Sequence, residues 1–220
     1  MNGEHTNIGD VAQIEAVKER HLTRDELIAL IKTIEPREGR PAFVAISGFG
    51  GSGKSTLALN LCKSLDETAD VVPIDDFIVG PREQRSGDWQ TFDRERLRQD
   101  VLERARVGKP FSYRRYNSGD WVNGRGGSLR IVTPRKILII EGCSVIHPDL
   151  MPYYDCSVWV DCPQEVALAN AKQRDQTEID LFGDDDTDRL WNEFWGPNDR
   201  DYFETFHPDH LASVLLEPQF

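Results

Sequence analysis

The 220-residue sequence has no apolar run near the ~18 residues that a membrane-spanning helix needs, and its first residues, Met1-Asn2-Gly3-Glu4-His5, lack the basic-then-apolar order of a secretory signal. These absences set the expected location in the cytoplasm, with no membrane partner. Positive charge is also scarce: 26 Lys and Arg stand against 38 Asp and Glu, a formal net charge of −12, which denies the basic face that a nucleic-acid binder requires. Cys62, Cys143, Cys156 and Cys162 form no C-x-x-C pair and match no histidine spacing, so reduced, mostly buried thiols are expected. There is no internal repeat and no low-complexity linker. What is present, 39% hydrophobic and 29% charged residues, suffices for one α/β domain with small appendages.

One stretch organises the rest. Val44-Ala45-Ile46-Ser47 reads as a strand, Gly48 through Ser55 fits G-x-x-x-x-G-K-[ST], and Thr56-Leu57-Ala58-Leu59 continues as a helix. Gly48, Gly50, Gly51 and Gly53 let the backbone turn tightly and, with Ser52, bring N–H groups inward around phosphate oxygens. The helix beginning near Thr56 adds unpaired N–H groups and a partial positive charge. Lys54 supplies a mobile cation for the outer phosphates, and the Ser55 hydroxyl suits Mg²⁺. The pattern implies a nucleotide held by its phosphates, with Mg²⁺. In so acidic a chain, Lys54 and a few arginines must offset a repulsive background.

Residues 1–40 read as an N-terminal helical extension: Thr23-Arg24-Asp25-Glu26 is a capping box ahead of Leu27, Ile28, Leu30, Ile31 and Ile34 at helical spacing. The main domain spans 41–220. Asp70 to Ile74 predicts a second strand closed by Asp75-Asp76-Phe77, and strand, helix, strand over so few residues is a βαβ unit with parallel strands. Its carboxylates therefore emerge on the sheet edge that carries the glycine-rich loop, where open α/β sheets bind ligands. Gly80 to Gln90 reads as a surface loop. Leu97, Val101, Leu102 and Ala105 form the buried stripe of a helix that Gly108-Lys109-Pro110 ends. Residues 110–133, with Tyr113, Arg114, Arg115, Tyr116 and Trp121, predict a small aromatic and basic hairpin. Ile137-Leu138-Ile139-Ile140 fits a central strand buried on both faces, and Glu141 closes it as a Walker B acid would. Cys156 to Val160 and Ala212 to Leu216 are further strands. Asp184-Asp185-Asp186 reads as a solvated turn and helix N-terminus, ahead of an amphipathic helix with Leu190, Trp191, Phe194 and Trp195.

Taken in order, the phosphate loop, Ile74-Asp75-Asp76-Phe77, Phe92-Asp93, Tyr113 to Trp121, Ile140-Glu141-Gly142, Val160-Asp161-Cys162-Pro163 and Arg174-Asp175 resemble the uridine kinase-like branch of the P-loop kinases. That group includes uridine-cytidine kinase, phosphoribulokinase and bacterial pantothenate kinase. The resemblance spans roughly Ala42 to Leu216. It implies a three-layer α/β/α sandwich with a mostly parallel sheet and a small lid at about 172–200. It implies Asp75 as general base for the acceptor hydroxyl and near the metal, with Asp76 as the alternative, and Glu141 beside Mg²⁺. It implies Arg174 over the phosphates, and Asp76, Tyr113, Tyr116 and Trp121 at the acceptor. Two departures stand out. The lid pattern R-R-x-x-R-D is reduced to Arg174-Asp175, with Lys172 as a substitute and Arg189 of the next helix not counted on, and P-x-Y-D-[FH] becomes Pro110-Phe111-Ser112-Tyr113-Arg114 with no histidine nearby.

The expected function is an ATP- and Mg²⁺-dependent kinase for a hydroxyl of a small metabolite, foremost a nucleoside, in a chain that can form a homo-oligomer. Arg114 and Arg115 leave an anionic acceptor such as a phosphorylated sugar open. The alternative is a nucleotide-dependent ATPase or switch, or a degenerate ATP-binding module, acting through a protein partner. The chain has no N-K-x-D guanine signature, and no glutamine or glutamate for positioning water stands out near the loop.

Overall fold

A computed structural model describes residues 20–37, 39–65, 68–80, 83–116, 127–177 and 184–218. The sheet has six strands: β1 (His21–Leu22), β2 (Ala42–Ser47), β3 (Ala69–Pro73), β6 (Ile137–Glu141), β7 (Cys156–Val160) and β8 (Val214–Leu216), in the order β1-β8-β7-β2-β6-β3. Every neighbouring pair is parallel. The three central strands β6, β2 and β7 are buried along their whole length, as their unbroken apolar runs require. Strand β3 is parallel to β2 but separated from it by β6, so the βαβ unit skips one position.

Helix α1 (Arg24–Thr33) starts at the predicted capping box: Thr23 Oγ1 accepts from the Glu26 amide, and Glu26 accepts from the Thr23 amide at 2.8 Å. Leu27 and Ile31 face the core with no exposure. The extension is not purely helical among the described residues, because His21–Leu22 pairs with Leu215–Leu216 and lengthens the sheet by one strand. Two residues are too few to show a period of two in a sequence. Helix α2 (Lys54–Ser64) follows the loop and buries Leu57, Ala58 and Leu61. After β3 the chain makes a 3₁₀ turn, Ile74–Phe77, so Asp75 and Asp76 sit on a turn rather than at a strand end. Helix α3 runs over 94–105 with a π turn at Arg98–Leu102. Strands β4 (Phe111–Arg114) and β5 (Leu129–Val132) pair antiparallel as the expected hairpin. Helix α4 (Gln164–Thr177), helix α5 over 184–206 and the short α6 (Pro208–Leu211) complete the chain. Helix α5 opens at Asp184, where the acidic run predicts an N-terminus, and carries a π turn at Trp191–Trp195. Among the described residues, no helix is long and apolar enough to cross a membrane. The four cysteines are free; Cys156 and Cys162 are buried, Cys62 and Cys143 half-buried.

Candidate active site

The loop between β2 and α2 has the backbone that its glycines permit. Gly51 lies at φ +85°, and a Cβ there would overlap the Ala167 carbonyl of α4, so a side chain is excluded by conformation and by space alike. Gly53, at φ 90°, is the N-cap of α2, whose first residue is Lys54. Lys54 is buried and its Nζ donates to the Phe49 carbonyl at 3.0 Å. The Gly50 amide donates to Asp199 Oδ2 at 2.7 Å, so a carboxylate of α5 is anchored to the loop.

Carboxylates converge on the same point from three elements. Ser55 Oγ donates to Glu141 Oε2 at 3.0 Å, joining the start of α2 to the end of β6. Asp75, on the turn after β3, lines the same cleft as Lys54, Ser55 and Glu141 and is reached by solvent through it. Burial pushes the Glu141 carboxyl up to about 7, against the Lys54 cation and with help from Asp75. Desolvation likewise raises Asp75, opposed by Lys54 and reinforced by Asp76. Asp199 rises to about 6 through burial, opposed by Lys54, the Gly50 amide and the Trp89 indole. For Lys54, burial works against the cation, yet Cys143, Asp199, Glu141 and Asp75 together hold its value above normal. A cluster of partly desolvated carboxylates around one lysine is a charge distribution that a bound cation would relieve. Ser55, Glu141 and Asp75 offer only oxygen donors, the set that Mg²⁺ prefers, so these residues fit the metal.

Two clefts flank the loop, and Gly51 borders both. The first, about 370 Å³, holds Lys54, Ser55, Asp75, Glu141, Arg174 and Asp175, and its walls include Ile78, Trp89, Thr91, Phe92, Trp191 and Trp195. The second, about 310 Å³, is bordered by Ser52, Gly53, Thr56, Asn60, Asn170, Glu217 and Arg24 of α1.

No family model matches the chain. The uridine kinase of Haemophilus ducreyi (strain 35000HP / ATCC 700724) is 28% identical over 148 residues, 61% of this chain and 67% of that protein. Among solved structures, a protein of Silicibacter sp. TM1040 provisionally named a fructose transport system kinase superposes with a TM-score of 0.70 at 25% identity, over 88% of this chain and 98% of that one. A Bacillus stearothermophilus protein provisionally named a uridine kinase gives 0.65 at 20% identity, over 91% and 99%. These likenesses support a small-molecule kinase of the P-loop kind that resembles the uridine kinases, and they leave the acceptor open.

Within this P-loop kinase the expected site residues divide. Gly50, Gly51, Lys54, Ser55, Asp75, Glu141 and Arg174 meet in the first cleft, and Ser52, Gly53 and Thr56 border the second. Gly48 lies at the end of β2, packed against Val160 and Ser52. Asp76 does not line the first cleft: it is buried, accepts from the Tyr113 hydroxyl at 2.7 Å and from Arg115 at 3.2 Å, and so ties the hairpin to the turn beside Asp75. Tyr113 stacks on Phe77 at 5.1 Å, within the core. Neither Tyr113 nor Tyr116 borders the first cleft, and Trp121 lies outside the described residues. In the expected lid, Arg174 reaches the cleft and donates to Asp175 at 2.6 Å. Lys172 instead pairs with Asp188 at 2.9 Å and Arg189 with Asp186 at 2.6 Å, both on α5. Sequence reading missed Asp199, Trp89 and Trp191. Asp199 belongs to no motif, and Trp191 belonged to a stripe with a sufficient explanation as core.

Proposed function

We propose that this chain is a cytoplasmic, ATP- and Mg²⁺-dependent phosphotransferase acting on a hydroxyl of a small metabolite, with a nucleoside as the first acceptor to test. The observation that carries this reading is the meeting of Lys54, Ser55, Asp75 and Glu141 in a cleft beside the phosphate loop that has room left for a second substrate. The triphosphate lies along the loop amides, and the second cleft receives the rest of the nucleotide. Ser55, Glu141 and Asp75 would hold Mg²⁺, which supplies charge neutralisation at the transferring phosphoryl group. Asp75 accepts the proton of the acceptor hydroxyl as its oxygen forms a bond to the γ-phosphorus and the bond to the leaving ADP breaks. Lys54, already charged among carboxylates, follows the negative charge that moves to the leaving oxygens.

The test is a coupled ADP-release assay over nucleosides, sugars, pantothenate and sugar phosphates, with Lys54→Ala as the blank. Acceptor-stimulated release that Lys54→Ala abolishes is the expected result. Release stimulated by a protein partner, and by none of the acceptors, would make the chain an ATPase or switch instead.

A further inference from the structure

The walls of the first cleft carry more than the catalytic groups, and they speak to the acceptor. Two indoles line it. Trp89, in the loop before α3, is 6% exposed and donates its Nε1–H to Asp199 at 3.0 Å. Trp191, in the π turn of α5, is equally buried and donates to Asp175 at 2.7 Å. With each N–H tied to a buried carboxylate, each ring is fixed in rotation, and what it offers a ligand is ring surface rather than a hydrogen bond. Trp89 pairs with Phe92 at 5.4 Å, and Trp191 meets Trp195 edge-on at 5.1 Å, so both walls are aromatic. Trp89 has φ 55°, a conformation that is costly for so large a side chain and is held here by its bond to Asp199. Trp191 sits so close to the loop that a Cβ on Gly50 would overlap its ring, which puts this wall against the phosphate-binding backbone.

One polar atom in this wall has no use within the protein. Thr91 is 6% exposed and borders the cleft, yet its hydroxyl has no hydrogen-bond partner among the described residues. A buried hydroxyl left unpaired is costly, and this one sits in the wall beside the cleft.

Charge narrows the class. Asp75, Glu141 and Asp175 line the cleft against Lys54 and Arg174, and ATP with Mg²⁺ adds further negative charge. Nearby arginines are already engaged: Arg94 by Asp88 at 3.1 Å, and Arg115 and Arg130 by Asp76 at 3.2 and 3.7 Å. With Lys54 and Arg174 taken up by the triphosphate in the kinase reading, an anionic acceptor would enter without a cation of its own.

Resting on the kinase reading above, we propose that the acceptor is an uncharged, flat-faced hydroxylated molecule, a sugar or a nucleoside, seated in this cleft against the ring surfaces of Trp89 and Trp191. Phosphorylated and carboxylate-bearing acceptors are excluded by the same walls. The hairpin braces Asp76 and the turn that carries Asp75.

The experiment compares kcat/KM in the ADP-release assay for sugars and nucleosides with that for sugar phosphates, pantothenate and glycerate. The uncharged set is expected to exceed the anionic set by at least roughly 100-fold, and the two uncharged arms separate sugar from nucleoside. A preferred anionic acceptor overturns the inference and leaves the kinase reading intact, whereas no acceptor-stimulated release at all overturns both. Trp191→Leu should raise the acceptor KM roughly 10-fold while the ATP KM stays within about 2-fold. An equal rise in both would mean that Trp191 only supports the loop. In the wild-type protein, the preferred acceptor should quench indole fluorescence with saturation near its KM, and a flat titration would also overturn the seating.

Discussion

Strand β2 has carboxylates at both of its ends, and they do opposite things. At its amino end Asp155 is nearly buried, takes 2.7 and 3.0 Å hydrogen bonds from Arg40 and a third from the Phe43 amide, and has Arg37 at 3.4 Å. Burial alone would raise its carboxyl, but these bonds and charges win and hold it below the normal range. At the carboxyl end Asp75, Glu141 and Asp199 share one lysine, and all are raised. The first arrangement is complete within the protein. The second leaves raised carboxyls around a single lysine, and that surplus of negative charge fits the metal and polyphosphate that the proposed function assigns to this end.

The sharpest way to test this contrast is to remove one carboxylate from each end. Asp75→Asn should lower kcat by about 10²–10⁴-fold, the usual weight of a general base, with the ATP KM and the melting temperature little changed. Asp155→Ala should do the reverse, costing about 3 kcal/mol of stability by leaving buried Arg40 without its partner, with kcat retained in the folded fraction. Denaturant unfolding and steady-state kinetics on the two variants decide it. Near wild-type turnover in Asp75→Asn would remove Asp75 from the role.

The two ends should also respond to pH with opposite sign. A carboxyl raised on folding holds its proton longer in the folded chain, so Glu141 and Asp199 favour the unfolded state once pH rises from about 4, their unfolded value, through about 7 and about 6. Asp155, lowered on folding, contributes stability above its unfolded value and loses it as pH falls. Glu141→Gln should therefore stabilise the nucleotide-free protein at pH 8 by on the order of 2 kcal/mol, flatten its stability between pH 5 and 8, and abolish turnover. Melting temperatures against pH for wild type and Glu141→Gln provide the check. A variant less stable than wild type at pH 8 would show that the cluster is satisfied within the protein after all.

How far the sequence could be read follows the same division. The phosphate loop, the buried run Ile137 to Ile140 and the acid after it were legible because local chemistry dictates them: glycines where only glycine fits, and unbroken apolar residues where a strand is covered on both faces. Asp75 was legible as a residue but not as a turn, since the 3₁₀ geometry of Ile74–Phe77 depends on packing of Ile74 and Phe77 that no spacing reveals. The tryptophan walls were not legible as a site. Trp89 and Trp191 lie about a hundred residues apart in sequence, in a polar loop and a helical stripe that each have a sufficient local explanation, and only the fold of α5 onto the loop brings them to one cleft. Asp76 and Tyr113 pointed to the acceptor because they fall in aromatic and acidic sequence, whereas the structure uses them on each other.

The smallest effects test whether the contrast reaches the extension. Helix α1 is fixed by Thr23 and Glu26, a solvent-side cap far from any titrating cluster, while the next residue, Arg24, borders the second cleft opposite Glu217 with its buried Nε unpartnered among the described residues. Neighbouring residues on one turn should thus separate into stability and binding. Thr23→Ala removes the hydroxyl that accepts from the Glu26 amide, leaves the Glu26 bond to the residue-23 amide, and should cost about 1 kcal/mol in denaturant unfolding, with kcat and both KM values unchanged. Arg24→Gln removes a charge from the cleft that the proposed function gives to the nucleotide, not from the core, and should leave unfolding within about 0.5 kcal/mol. Its ATP KM should rise roughly 5-fold, the weight of one charge-assisted contact at a partly exposed site, and the acceptor KM should stay constant because the acceptor lies across the loop. If Arg24→Gln changes the acceptor KM and spares ATP, the assignment of the two clefts is reversed, and Trp89 and Trp191 would then stand on the donor side.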